Sequence, residues 1–476
     1  MTQPAQEETT RTVDPALEIV YGLNDKPPLG ESMFAALQHL LAIIVGIMTP
    51  PLIIANVLGF SPAMKSYLIS MALFVSGLAT FIQARRIGPV GSGLLSIQGT
   101  SFAFLGTIIS IGFAAKNAGA TDQEVLCTIL GVCFCGSFIE MVFSRFIPLL
   151  GKVITPLVSG IVVTLIGLSL IKVGIIDFGG GKWLLDNKPE LFGSPQNLFL
   201  GFLVLVTIII LNRSSNKYIR MSAIVAGLVI GYIVAAAMGK VNFARLAEID
   251  MLAPPIPFKY GFFKFTLAGF IPIALLYLIT TVESIGDLTA TSLVSKQPIR
   301  GEQYFKTISG GVLGDGVNSA LAAIFNSFPN TTFSQNNGVI QLTGVASRYV
   351  GYFIALLLVI VGVFPVVGGL FSIIPNSVLG GATILMFGTV AAAGIKIIAT
   401  NVINRRGMII MAISLGLGLG VIFVPQVLSH FPKLAQAIFG SAITTGGLTA
   451  ILLNIILPRG GTMQADVPDN PDVASM

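Results

Sequence analysis

Two acidic residues lie at helical spacing inside an apolar stretch. Glu283 and Asp287 are four residues apart in LITTVESIGDLTAT, so a helix would place both on one face. A carboxyl group in a membrane span can carry a proton, and when ionised it can accept a hydrogen bond from a ligand N–H. Asp287 has an alternative, a position at the cytoplasmic end of the helix where it bonds backbone or a nearby threonine. Glu283 lies one turn deeper and is the stronger candidate for chemistry.

Three further ionisable side chains lie in apolar stretches. Asp315 stands between Gly314 and Gly316 in GGVLGDGVNSAL, and small residues allow close helix packing. We therefore expect Asp315 to face the interior, as a structural hydrogen-bonding group or as a proton relay. His39, in LQHLLAII, is either a satisfied core histidine or a residue beside a ligand pocket. Glu140 is expected near the membrane interface.

The run FSQNNGVIQLTG (333–344) is unusually polar for its surroundings. Gln335 offers a donor and an acceptor side by side, whereas a carboxylate such as Glu283 offers acceptors. Facing each other, these two side chains would match a flat ligand with both N–H and C=O edges, such as a pyrimidinedione or an oxopurine. Phe102 could stack on the face of that ligand.

The composition is that of a polytopic membrane protein. Of 476 residues, 54% are hydrophobic and 10% charged, with a mean hydropathy of +0.88. About fourteen apolar runs approach the length that crosses a bilayer. They centre on 33–56, 66–84, 93–116, 124–143, 153–172, 197–212, 220–239, 266–287, 305–326, 331–346, 349–370, 376–398, 407–425 and 436–457.

The distribution of Lys and Arg predicts the orientation. With a cytoplasmic N-terminus, most of these residues fall in the short loops on the inner side, so both termini are expected in the cytoplasm. The polar N-terminal stretch lacks the features of a cleaved signal peptide. The net charge of +6 is therefore a topology signal and does not indicate nucleic-acid binding.

Several classes of enzyme and pump are disfavoured. The sequence contains no G-x-S-x-G, H-E-x-x-H or G-x-x-x-x-G-K-[ST] motif. Two histidines cannot supply a rich metal site, and the three cysteines all fall in the fourth span, where packing is the expected role. We expect no cofactor and no metal, which leaves ion-coupled transport.

Two pairs of segments suggest an internal duplication. ITPLVSGIVVTLIGLSLIKVGI (154–175) and IPNSVLGGATILMFGTVAAAGIK (374–396) share a leading Pro and several Gly positions. LLSIQGTSFAFLGTI (94–108) and TTFSQNNGVIQLTG (331–344) each place a Gln, small polar residues and a Phe inside an apolar span. Inverted halves with interrupted spans at corresponding positions are typical of secondary transporters, and the interruptions point to the binding site.

The run QNNGVIQLTG resembles the signature of the nucleobase-ascorbate transporter family, which is Gln, Glu or Pro, then Asn, any residue, Gly, four residues, Thr, and Arg, Lys or Gly. The similarity extends over nearly the whole chain and is closest to bacterial xanthine permeases. Other matching runs are VESIGDLTATSLVS, GGVLGDG, GLLSIQGTSF, QHLLA and TPLVSGIVVTLIGLSLIKVGIIDFGGG.

This resemblance implies an all-α polytopic fold of fourteen spans in a seven-plus-seven inverted repeat, with short antiparallel strands in spans 3 and 10. It also implies a homodimer that performs proton symport by an elevator-like movement of a core domain against a gate domain. The expected divisions are a cytoplasmic tail (1–32), core (33–143), gate (144–240), core (241–370), gate (371–457) and a second cytoplasmic tail (458–476).

The resemblance assigns residue roles as well. Ser101, Phe102 and Ser334 are expected on the two short strands around a purine, with Phe102 stacking on it. In full, the resemblance assigns purine binding to Glu283, Gln335, Phe102, Ser101 and Ser334. It assigns specificity to Asn336 and Thr343, and proton coupling or structural support to Asp287, Asp315 and His39.

Three functional hypotheses follow. The first is a xanthine:proton symporter of a bacterial inner membrane. The second is the same machine for uric acid or for both purines, because some xanthine-selective relatives carry Asn where this chain has Ser101. The third is an anion exchanger or channel of the same architecture, which Glu283 in the site would disfavour.

Overall fold

The computed structural model describes residues 19–147, 155–216, 219, 222–244, 252–299, 301–333, 335–366, 370–371, 373–399 and 403–458. Among these residues, eight helices are long and apolar enough to cross a membrane, so the chain is a mostly helical membrane protein. In chain order the elements are α1 (Leu29–Val57), α2 (Pro62–Arg85), β1 (Gln98–Thr100), α3 (Leu105–Asn117), α4 (Asp122–Phe143), α5 (Pro156–Phe178), α6 (Lys182–Asn187), α7 (Pro195–Asn212), α8 (Ala223–Ala237), α9 (Leu267–Val294), α10 (Gly301–Ile324), β2 (Asn330–Thr332), α11 (Gln335–Thr343), α12 (Arg348–Val363), α13 (Asn376–Ala399), α14 (Arg405–Phe423), α15 (Lys433–Phe439) and α16 (Ala442–Ile456).

Several helices begin at capping residues that the sequence places there. Thr121 and Glu124 form a capping box at α4, in which Glu124 Oε2 accepts from the Thr121 backbone N–H at 2.9 Å. Ser61 and Asn404 cap α2 and α14 through their side-chain oxygens. These side chains satisfy N–H groups that the first helical turn leaves without partners.

The two interrupted segments meet as an antiparallel strand pair, with Gln98 opposite Thr332. Hydrogen bonds between backbone groups replace those that a continuous helix would supply at membrane depth. Strand β1 ends at Thr100, so the expectation that Phe102 lies on a strand is wrong, whereas Ser101 N still donates to the Pro329 carbonyl at 2.8 Å in the register of the pair. The chain turns directly after it: Ser101 Oγ accepts from Ala103 N at 3.3 Å, and α3 follows.

The first pair of repeated segments forms one tightly packed helix pair, α5 against α13. A Cβ added at Gly167 would lie 2.3 Å from Ala391 N, and one added at Gly394 would lie 2.3 Å from Thr164 N. These separations are too short for any side chain, so the shared glycines permit contact between the two backbones.

Helix α9 extends further than the sequence prediction. The apolar run ends near residue 287, whereas the helix continues to Val294. Asp287 is therefore inside the helix and 5% exposed, so its expected position at the helix end is wrong. Polar residues such as Thr291, which lower the hydropathy there, are buried against neighbouring helices.

Candidate functional site

Asp315 of α10 lies at the centre of a hydrogen-bond network that joins three helices. Gln83 of α2 donates from Nε2 to Asp315 Oδ1 at 2.7 Å, and Ser284 of α9 donates from Oγ to Asp315 Oδ2 at 2.5 Å. The carboxyl group is 1% exposed. As expected, Asp315 faces the interior, where neutral donors hold both of its oxygens.

The glycines on either side of Asp315 allow the neighbouring helices to come this close. A Cβ at Gly314 would lie 2.8 Å from Gln83 Nε2, and a Cβ at Gly316 would lie 3.0 Å from Met141 N of α4. A side chain at position 314 would displace the Gln83 amide, and one at position 316 would push α4 away from α10. The GDG sequence thus positions the aspartate and the group that binds it.

Glu283 adjoins this network through its neighbour Ser284. It is partly exposed, and its Oε2 atom is buried without a hydrogen-bond partner among the described residues. About two turns beyond Glu283, Thr291 Oγ1 lies 2.8 Å from both the Asp287 carbonyl oxygen and Asn337 Oδ1. The acidic face of α9 is thereby connected to the start of α11.

Only part of the polar run FSQNNGVIQLTG (333–344) belongs to the residues that the structure describes. Ser334 lies outside the described residues, as does the side chain of Gln335, so the opposition of Gln335 and Glu283 stays a prediction. The backbone of Gln335 begins α11. Asn336 is 1% exposed and donates from Nδ2 to the Leu95 carbonyl at 2.5 Å, which ties α11 to the segment that leads into β1.

His39 is buried in α1 and approaches the Asn336 side chain. Neither ring nitrogen, nor Asn336 Oδ1, has a hydrogen bond of good geometry among the described residues. His39 is buried as a core histidine would be. The choice between that role and a place next to a ligand pocket stays a prediction.

Phe102 and Thr343 occupy different surroundings. Phe102 is 8% exposed and packs edge-to-face on Phe387 of α13, with ring centroids 5.6 Å apart at 82°. Thr343 donates to the Val339 carbonyl at 2.8 Å and accepts from Val345 N at 3.2 Å. Its hydroxyl therefore forms hydrogen bonds with the backbone at the C-terminal end of α11, about 10 Å along the helix axis from Asn336.

Glu140 of α4 is buried inside the protein and does not reach its surface. It is 1% exposed, and its Oε1 atom has no hydrogen-bond partner among the described residues. Its electrostatic neighbours include Asp315 and Glu283. A snorkelling side chain is therefore excluded, because α4 packs against α9 and α10 and encloses Glu140. Its depth relative to the membrane interface stays a prediction.

The described part of the chain offers no cluster of three His, Cys, Asp or Glu side chains that could hold a metal ion. Cys127 and Cys133 are buried free thiols, and Cys135 is partly buried. The chemistry of this region therefore rests on carboxyl, amide and hydroxyl groups.

Comparisons with known proteins identify the family of this chain. A model of the Permease family matches residues 30–427. The chain is 47% identical over 450 residues to the xanthine permease XanQ of Escherichia coli, covering 94% of this chain and 96% of that protein. The chain belongs to the nucleobase-ascorbate transporter family. It is a permease and not an enzyme.

Other relatives of this permease extend the comparison. It is 34% identical over 488 residues to a uric acid-xanthine permease of Emericella nidulans, covering 94% of this chain and 84% of that protein. The transmembrane domain of a cyanobacterial bicarbonate transporter, BicA, superposes with a TM-score of 0.58 at 15% identity, covering 88% of this chain and 100% of that one. At that identity the likeness shows the fold alone.

Sequence reasoning missed several residues of this permease's polar network. Gln83, Ser284, Thr291 and Asn337 connect the acidic residues to neighbouring helices. Gln83 carried a signal, since it is a fully buried amide within an apolar span, but its closeness to Arg85 and Arg86 suggested a helix end. The others resemble ordinary small polar residues until their partners are known.

Proposed function

We propose that this permease imports an oxopurine, xanthine, by proton symport across a bacterial inner membrane. The observation that carries the proposal is the 47% identity to a xanthine permease over 94% of the chain. The buried acidic network around Asp315 and Glu283 supports the choice of protons as the coupling ion, because neutral donors hold Asp315 and a proton can neutralise it.

The proposed purine site is formed by Glu283 and the two broken spans. Glu283 has a buried, unpartnered carboxylate oxygen, which could accept from a purine N–H. Phe102 supplies an aromatic ring, although its present edge contact with Phe387 must change if it is to stack on a ligand. The proposed binding set is Glu283, Gln335, Phe102, Ser101 and Ser334, with Asn336 and Thr343 for specificity.

The proton is proposed to reside on the acidic residues of α9 and α10. Asp315 and Glu283 are linked through Ser284, so the charge on one carboxyl group affects how readily the other binds a proton. Asp287 lies one turn beyond Glu283 on α9, and His39 of α1, which approaches Asn336, is proposed to support the site. Binding a proton with each neutral purine would remove net charge from the moving part, which lowers the cost of moving it through the membrane.

The proposed architecture is a seven-plus-seven repeat of fourteen spans. The two broken segments pair through β1 and β2, and α5 pairs with α13, as two related halves would require. The contact between Phe102 and Phe387 would then bridge the proposed core (33–143 and 241–370) and gate (144–240 and 371–457).

The membrane placement and assembly are proposals of the same kind. We place the tails (1–32 and 458–476) in the cytoplasm. Helices α7 and α14 each bury only 28% of their most apolar window, which leaves surface for lipid and for a second copy in a homodimer.

Uric acid is a second candidate substrate. The relative from Emericella nidulans is named a uric acid-xanthine permease, and Ser101 is smaller than the Asn of some xanthine-selective relatives. Anion exchange is a third possibility, which Glu283 disfavours because an ionised carboxylate would repel an anion.

Uptake of radiolabelled xanthine into purine-transport-deficient cells tests the proposal. We expect accumulation that a protonophore abolishes. Absence of accumulation, or accumulation indifferent to the protonophore, would contradict symport. Competition by unlabelled uric acid, guanine, hypoxanthine and uracil then ranks the substrates.

A further inference from the structure

The two-stranded sheet has one face made of polar side chains. Gln98 lies opposite Thr332, and Thr100 lies opposite Asn330. Side chains directly opposite each other in an antiparallel pair share a face, and alternate residues of a strand share it too. These four residues therefore project on the same side.

The other face of the sheet is closed by apolar contacts. It carries Gly99, where an added Cβ would lie 2.4 Å from Phe333 Cζ and 2.9 Å from Ile47 Cγ1 of α1. Thr331 lies opposite Gly99 on this face. The polar face consequently points away from Phe333 and Ile47.

The polar face is adjacent to α10 and to the acidic network. The Gln98 side chain and the Thr332 backbone lie beside the Asp315 carboxyl group. Ser319 of α10 accepts from Asn330 N at 3.1 Å, which holds β2 against this helix. One edge of the polar face therefore lies beside the Asp315 carboxyl group.

Most polar atoms of this face lack protein partners of good geometry. All four side chains are at most 3% exposed. Buried polar groups nearly always have a hydrogen-bond partner, from the protein or from ordered water. Six atoms have no hydrogen bond of good geometry among the described residues, although the Gln98 side chain approaches Asp315: Gln98 Oε1 and Nε2, Thr100 Oγ1, Asn330 Oδ1 and Nδ2, and Thr332 Oγ1.

The mixture of donors and acceptors identifies the chemistry of the missing partner. The Gln98 and Asn330 amide nitrogens can only donate, while their oxygens can only accept. A bare cation would satisfy the oxygens but repel the N–H groups, and an anion would do the reverse. Water donates and accepts, and buried water typically makes about three hydrogen bonds to such groups.

We propose that the polar face of the β1/β2 pair binds a cluster of buried water molecules that exchanges protons with Asp315. This inference rests on the proposed proton coupling. When Asp315 is protonated, an O–H bond forms at its carboxylate as the adjacent water gives up a proton and takes one from the next water. The last water of the cluster takes its proton from a hydronium ion of the aqueous phase, which becomes water. One proton enters in total, and every water of the cluster is restored.

The first test is structural and needs no substrate. A density map of the full-length protein in lipid nanodiscs, at a resolution that shows water, should contain ordered waters within hydrogen-bond distance of the Gln98 and Asn330 amides. A dry face, or amides paired directly with each other, would overturn the proposal.

The second test compares two neighbouring threonines. Valine has the shape of threonine without the hydroxyl group, and Thr331 and Thr332 are both buried with unpartnered hydroxyls. They differ in the face on which they lie. We expect Thr332→Val to slow proton-driven xanthine accumulation about 10-fold, the effect of one lost hydrogen bond, and to shift its pH profile.

The controls separate this inference from the proposed function. Thr332→Val should retain xanthine counterflow, which needs no net proton movement, and Thr331→Val should behave like wild type in both assays. Equal behaviour of the two variants would refute the water relay while leaving symport intact. If wild-type protein fails to accumulate xanthine, the proposed function fails, and the density map still decides on the waters. Thr100→Val replaces Thr332→Val if that variant does not fold.

Discussion

Gln83 and Asp315 are joined by a 2.7 Å hydrogen bond between two buried side chains that lie far apart in the sequence. The same Gln83 amide also donates to the Gly311 carbonyl at 2.8 Å and accepts from Ser92 N at 2.8 Å. One side chain therefore fixes α2, the segment before β1, and the acidic residue of α10. This arrangement gives Asp315 a defined position beside Ser284 and Glu283.

Gln83→Leu should disrupt this network. Leucine has a similar size but leaves the Ser92 N–H, the Gly311 carbonyl and Asp315 without their partner, and each unsatisfied buried group costs about 1–3 kcal/mol. We expect lower thermal stability in detergent and a loss of uptake per transporter that exceeds the loss of membrane abundance. The exposed Gln123 offers a control, and Gln123→Leu should change neither property. A fully active Gln83→Leu protein would show that the network is dispensable.

Glu283→Gln should reduce purine uptake to background without lowering membrane abundance. Glutamine keeps the shape of the side chain but can neither carry a proton nor act as a carboxylate acceptor. Glu302→Gln is the matched control, because Glu302 is exposed and pairs only with Lys306 at 2.7 Å, and exposed ion pairs contribute little. Wild-type uptake by Glu283→Gln would remove this residue from the site.

Two glycines of α13 should respond oppositely to alanine. A Cβ at Gly380 would lie 2.1 Å from Phe178 N of α5, whereas nothing lies within 4 Å of a Cβ at Gly388. Gly380→Ala should destabilise the protein by about 1–3 kcal/mol through overpacking. Gly388→Ala should be neutral or stabilising by up to about 1 kcal/mol through helix propensity. Thermal unfolding of the purified variants measures both, and equal melting temperatures would contradict the close contact of α5 and α13.

Ser101→Asn should narrow the choice of purine. The Ser101 hydroxyl accepts from Ala103 N at 3.3 Å and keeps its own hydrogen for donation, and asparagine would add bulk at this position. We expect xanthine uptake to persist while competition by uric acid weakens about 10-fold, a typical discrimination for a small change in a pocket. Unchanged competition would place Ser101 away from the 8-oxo group of uric acid.

The sequence predicted the elements that have strong local signals. The apolar runs located the long helices, and the GDG sequence placed Asp315 in the interior. The paired glycines singled out α5 and α13 as related segments, although not their contact. These features depend on hydropathy and on small residues, both of which can be read from the chain without knowing its partners.

Other features depended on tertiary contacts. Hydropathy could not reveal that Glu140 is enclosed by α9 and α10, nor that α9 continues past Asp287. The role of Gln83 can be recognised only once its contact with Asp315 is known. The end of β1 at Thr100 was missed because it depends on the partner strand: Ser101 N donates to the Pro329 carbonyl at 2.8 Å, but proline has no N–H with which to continue the ladder.

Transport by purified protein in proteoliposomes tests the central claim most directly. With a pH gradient, acid outside, as the only driving force, radiolabelled xanthine should rise transiently above its equilibrium level, and Glu283→Gln vesicles should show no such overshoot. Entry of xanthine into wild-type vesicles at the same rate and to the same level with and without the gradient would contradict proton symport.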